Sequence, residues 1–147
     1  MRTKLLLGGV LAMLLSACQS GGAAGQDAGS SLPKTGTQWR LSSGLDVKLP
    51  PAAEVTLEFG ADGAISGNSG CNRYNGRMTV EGDSVSLSPL AATKRGCVGL
   101  RGQIESSFFA AMAKVDAMSV DDGKLHVKLS DGSELLFDAT ANTGNAK

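Results

Sequence analysis

The chain has 147 residues, with 14 basic and 14 acidic side chains and therefore no formal net charge at pH 7. That balance leaves no basic surplus for phosphate backbones or anionic lipid, so no nucleic-acid partner is expected. Three cysteines, one histidine and one tryptophan also leave few soft donors for a metal and few bases for a nucleophile.

The first elements in chain order are a targeting segment and a tether. Arg2 and Lys4 precede an apolar run from Leu5 to Leu15 that is too short to span a bilayer as a stable helix. The run ends in Leu15-Ser16-Ala17-Cys18, which resembles the lipobox of bacterial lipoproteins, with Cys18 as the acylated first residue of the mature protein. The alternative is an ordinary secretory signal cleaved at a small-residue site. With residues 1–17 removed as the signal, 12 basic residues remain against 14 acidic ones. The lipobox implies palmitate-type acyl chains that anchor the protein in a membrane, and stable anchoring takes more than one chain. Gln19 stands where the lipoprotein sorting rule looks for an Asp retention signal. The absence of that Asp points to the outer membrane, with the head on its periplasmic face. Residues 19–36, rich in Gly, Ser and Ala, cannot bury a core and read as a flexible tether behind Cys18.

Residues 37–140 then form one domain, followed by a short disordered tail, residues 141–147. Its punctuation is that of hairpins: ADG at 61–63, EGD at 81–83, DDG at 121–123 and SDG at 130–132. Between these turns apolar residues alternate. Val55, Leu57 and Phe59 share one face and Glu54, Thr56 and Glu58 the other, and Leu125, Val127 and Leu129 oppose Lys124, His126 and Lys128. SVSLS and ELLFD follow the same rhythm, as half-buried antiparallel strands do. From Leu100 to about Val115 the period changes. Ile104, Phe108, Met112 and Val115 trace a helical stripe that predicts one helix packed across the sheet. The class is α+β: a small, mostly antiparallel, barrel-like sheet with a single packed helix over about 100–115.

The signature residues in order are Trp39 and Leu41, Asp62-Gly63, Gly67, Gly70-Cys71-Asn72, Tyr74, Gly76, Pro89-Leu90, Thr93, Cys97, then Glu105 and Phe108-Phe109. This series resembles the META domain of the HslJ-like type over roughly residues 37–138. Arg95-Gly96 departs from the Met-Ala pair common before the second cysteine. Gly96, Gly99 and Gly102 predict a helix that starts late or frays, since an interior glycine costs about 1 kcal/mol. The resemblance implies a compact β fold in secreted or lipid-anchored proteins, some tied to heat shock or antibiotic tolerance. It carries no catalytic residues and implies no cofactor.

The chemistry of Cys71 has several readings. A nucleophile needs a base, and His126 sits on a predicted strand as a solvent-facing residue. Cys71, Cys97 and His126 lack the close spacing of a structural zinc site. GNSGC misses the Gly-x-Ser-x-Gly elbow by one residue and lies between strands, and the acids are scattered. With Cys18 acylated, Cys71 and Cys97 make an even pair in an oxidising compartment, which predicts a disulfide; the alternative is two buried free thiols. Arg73, Tyr74, Asn75 and Arg77 remain as a contact surface on this loop. Two functions follow. One is a non-catalytic envelope lipoprotein supporting envelope integrity or stress tolerance through a protein partner. The other is an inhibitor or ligand-binding module acting on an envelope enzyme through the Cys71 loop. A hydrolase using scattered carboxylates is a weaker third.

Overall fold

A computed structural model describes residues 31–140. The signal segment, Cys18, most of the tether and the tail lie outside the described residues. Nine strands join in a single antiparallel sheet: β1 (Gln38–Ser43), β2 (Thr56–Phe59), β3 (Ala64–Asn68), β4 (Arg73–Glu81), β5 (Ser84–Leu87), β6 (Ala91–Ala92), β7 (Val115–Asp121), β8 (Lys124–Leu129) and β9 (Glu134–Ala139). The lateral order is β5-β4-β3-β2-β1-β9-β8-β7, with β6 lying along the first residues of β4. The end strands β5 and β7 come into contact, so the sheet curls into a nearly closed barrel. Curling shelters the edges that a flat sheet of this width would expose. The class is therefore mostly β with one helix.

Alternation explains the interior. Val55, Leu57 and Phe59 point inward, as do Leu125, Val127, Leu129, Leu135 and Phe137, and all are buried. Trp39 and Leu41 on β1 join the same cluster, flanked by β2 and β9. The DDG hairpin forms as its sequence predicts: Asp122 and Gly123 both take positive φ, 46° and 73°, the pair of angles a two-residue turn requires.

The helix α1 (Leu100–Met112) buries Ile104, Phe108 and Met112, three of the four residues in the predicted stripe. The fourth, Val115, instead opens β7. That strand has no clean alternation in the sequence because its register with β8 slips between Val115 and Ala117. A bulge of this kind breaks the period of two. The glycines do not fray the helix; it begins at Leu100 with Gly99 as its N-terminal boundary. Gly102 has a packing reason, since a Cβ there would sit 2.5 Å from the Cys97 carbonyl oxygen. The folded region also starts earlier than Thr37. Ser31 bridges to Val120 and the Gly36 amide donates to the Phe59 carbonyl.

Candidate functional site

The turn between β3 and β4 is built around Asn72, which is only 4 % exposed. Its Oδ1 accepts from the Thr93 hydroxyl at 2.9 Å and the Arg95 amide at 2.7 Å. Its Nδ2 donates to the Glu105 carboxylate at 2.9 Å and to the Arg95 carbonyl at 3.1 Å. All four of its hydrogen-bonding positions are therefore used, as a buried amide demands. Ser69, fully buried, accepts from the Asn72 amide at 3.1 Å and reaches Glu105 Oε1 at 2.7 Å. The Cys71–Cys97 disulfide closes the same knot, with Cα atoms 6.1 Å apart. One side chain, one carboxylate and one covalent bond thus tie the turn to the 93–97 segment and to α1.

The reactive groups of this arrangement are engaged with one another. The Cys71 sulfur is committed to Cys97, and the Ser69 hydroxyl is held between Asn72 and Glu105. His126 lies on β8, half-buried, with Nδ1 3.1 Å from Glu134 on β9. Among the described residues no group of three or more His, Cys, Asp or Glu side chains is placed to hold a metal ion. No described helix is long and apolar enough to cross a membrane.

The four residues expected on the contact surface separate. Strand alternation turns Arg73, Asn75 and Arg77 outward and Tyr74 inward. Tyr74 is thus no surface residue: it is 3 % exposed, packs against Phe108 and Phe109 at 5.2 and 5.9 Å between ring centres, and donates its hydroxyl to the Thr56 carbonyl at 2.7 Å. Burial pushes its phenol far above the ordinary tyrosine range. The hydroxyl reaches Thr56 because Gly67 lies between them; a Cβ at Gly67 would stand 2.0 Å from the Thr56 oxygen and 3.0 Å from the phenol oxygen.

Outside, the register sets side chains in rows. Gln38, Glu58, Ser66, Asn75 and Ala91 are successive cross-strand partners on β1, β2, β3, β4 and β6. Asn68 and Arg73 pair in the next row. Together these residues, with Glu54 and Thr93, line a groove of about 660 Å³. Arg73 and Asn75 meet in it. Arg77 does not; its guanidinium donates to the Asp62 carbonyl at 2.6 Å, away from the groove. The sequence places Glu54 and Glu58 outward, but only the lateral register of β2 against β3 and β4 brings them to the same surface as Arg73.

The geometry accounts for the signature residues one by one: Gly67 for the Tyr74 hydroxyl, Asn72 and Thr93 for the knot, Cys71 and Cys97 for its covalent tie, Phe108 and Phe109 for the ring cluster. No curated protein sequence matches the chain. Among solved structures it is similar to a protein from Burkholderia xenovorans determined by NMR, with 26% identity, a TM-score of 0.61, and coverage of 79% of this chain and 97% of that one. A second NMR structure shares the fold at 16% identity and a TM-score of 0.56, covering 69% of this chain and 87% of that one. So does the crystal structure of a DUF4847 family protein from Bacteroides vulgatus, at 14% identity and a TM-score of 0.52, covering 71% of this chain and 92% of that one. The family model for the META domain matches residues 31–142, most of the chain and all of the described fold, and the chain belongs to the META domain family.

Proposed function

We propose that the protein is a non-catalytic, lipid-anchored component of the cell envelope whose META domain holds an envelope protein in the outer groove, and so supports envelope integrity or stress tolerance. The observation that carries this reading is the state of the groove. Arg73, Glu54, Glu58 and Asn75 face it from neighbouring strands, and none of their side chains has a hydrogen bond or ion pair within the described domain. Polar side chains left unpaired in a concavity are available to a partner, and their mixed signs favour a partner that is itself mixed in charge. The knot beneath keeps the rim in one conformation, which lowers the ordering cost of binding. Anchoring at Cys18 and a position on the periplasmic face of the outer membrane complete the proposal.

A photo-crosslinking residue at Asn75 tests it in living cells. The expected outcome is a discrete captured protein that a crosslinker at Lys128, on β8, does not capture. An identical pattern from both positions would overturn the reading. A captured enzyme whose activity falls on binding would make the contact inhibitory. Cys18→Ser is expected to move the protein out of the membrane fraction.

A further inference from the structure

The even charge of the whole chain conceals a local imbalance that the fold creates. The segment from Thr93 to Arg101 holds Lys94, Arg95 and Arg101 and no acid, and the first turn of α1 adds none. Val98 projects from this segment 92 % exposed, and Leu100 follows at 44 %. Single exposed apolar side chains are ordinary on protein surfaces. This one is placed unusually: it stands next to a covalently held residue, Cys97, with cations on either side. Asn72 binds the backbone amide and carbonyl of Arg95, which leaves the Arg95 side chain outside the knot, and Lys94 has no ion pair among the described residues. The acids lie mainly elsewhere. Glu81 and Asp83 flank the far end of β4, about 25 Å from the Cys71 turn at 3.3 Å per residue. Two acids stand near: Glu54 lies by Leu100 and Arg101, and Glu105, one helical turn after Arg101, is engaged by Asn72 and Ser69 inside the knot.

We propose that the 93–101 segment is a membrane-contact loop that rests on a bilayer surface carrying anionic phospholipid headgroups. Cations near such a surface are attracted by its negative potential, and an apolar side chain among them can enter the headgroup boundary. The disulfide fixes the loop beforehand, so little freedom is lost on contact. The reach is sufficient. Ser31 is bonded to Val120, near the opposite end of the barrel, and the thirteen residue steps back to Cys18 span at most about 45 Å, more than the length of β4. An anchor at Cys18 and the loop can therefore meet one bilayer. The proposal shares the envelope location with the functional reading above but uses the loop that borders the groove at Thr93 and not the groove itself.

The test is co-sedimentation of residues 31–147 with lipid vesicles. This region contains every described core residue, the disulfide and the whole of the matched META domain, so it carries the complete folding unit. Binding is expected to vesicles of phosphatidylethanolamine with phosphatidylglycerol and not to phosphatidylcholine alone. It is expected to fall at roughly 0.5 M salt, where screening shortens to a few ångströms. The double variant Lys94→Gln, Arg95→Gln is expected to bind about 30-fold more weakly, at roughly fivefold per cation. Val98→Ser is expected to bind several-fold more weakly. Equal binding to both vesicle types, no binding to either, or wild-type binding by these variants at unchanged melting temperature would overturn the proposal. Lys128→Gln, which removes a cation on β8 outside the loop, is expected to bind vesicles as the wild type does. Loss of the vesicle result with the Asn75 crosslink intact would sink this inference alone.

Discussion

Asn72 and Glu105 are 33 positions apart, and the amide of one donates to both carboxylate oxygens of the other, at 2.9 and 3.2 Å. This contact joins the Cys71 turn to α1, beside the Arg101 guanidinium that donates to the Gly70 carbonyl at 3.1 Å. Asn72→Ala removes it, takes the partner from the Arg95 amide and carbonyl, and leaves the Thr93 hydroxyl with the Arg73 amide alone. Each buried group left unpaired costs about 1–3 kcal/mol, with water recovering part of the more exposed ones. A loss of about 3 kcal/mol is expected by urea unfolding. Glu105→Gln keeps one acceptor and is expected to cost about half as much. Equal stability of Asn72→Ala and the wild type would show that the knot contributes nothing to the fold.

Tyr74 makes the domain sensitive to alkali. It is the only tyrosine in the chain, so absorbance at 295 nm reports its ionisation alone. Burial raises its folded pKa above the unfolded value of 10.0. The folded state therefore keeps the proton where the unfolded chain releases it, and this contribution is complete below pH 10 and falls as pH rises beyond it. The expected slope is about 1.4 kcal/mol per pH unit. Phenolate absorbance is expected to appear with unfolding, not before it. Tyr74→Phe is expected to abolish the slope from this group and to cost about 1 kcal/mol at neutral pH, because the Thr56 carbonyl loses its donor. A phenolate signal near pH 10 in protein that keeps its native circular dichroism would refute the burial argument.

Much of this fold was legible in the sequence because strand alternation and Asp-Gly turns are local signals. KLHVKL became β8 with the expected face inward, and DDG became the expected hairpin turn. β7 was not legible, since its bulge destroys the period on which a strand reading depends. The outward direction of Arg73, Asn75 and Arg77 is legible, whereas Tyr74 between them turns inward by the alternation of a strand that reads as a loop in the sequence. Turn residues such as Gly70 and Asn72 invite a loop reading that runs past Asn72, whereas β4 begins at Arg73. The roles of Ser69 and Glu105 depend on contacts across 36 positions, which no local pattern encodes.

The disulfide closes a 26-residue separation, and chain entropy assigns such a loop about 3.5 kcal/mol. Alkylation of the untreated domain is expected to modify neither Cys71 nor Cys97. Reduction is expected to lower the melting temperature by roughly 15 °C for a domain of this size, with the fold retained at room temperature. Loss of less than a few degrees would mean that Asn72 and Glu105 hold the 93–97 segment by themselves.

Gly67 gives the sharpest structural prediction. Its inward face is the passage through which Tyr74 reaches Thr56, and a methyl group there would lie 2.0 Å from the backbone oxygen of Thr56, a β2 residue paired in register with Arg40 of β1. A side chain's flexible end yields to such an intrusion, but a strand carbonyl does not. Gly67→Ala is therefore expected to cost 3 kcal/mol or so, the upper part of the usual range for overpacking. The double variant Gly67→Ala, Tyr74→Phe separates the two contacts. If the clash with Tyr74 dominated, removing the hydroxyl would restore most of the stability. The distances place the main conflict at Thr56, so the double variant is expected to remain within about 1 kcal/mol of Gly67→Ala alone.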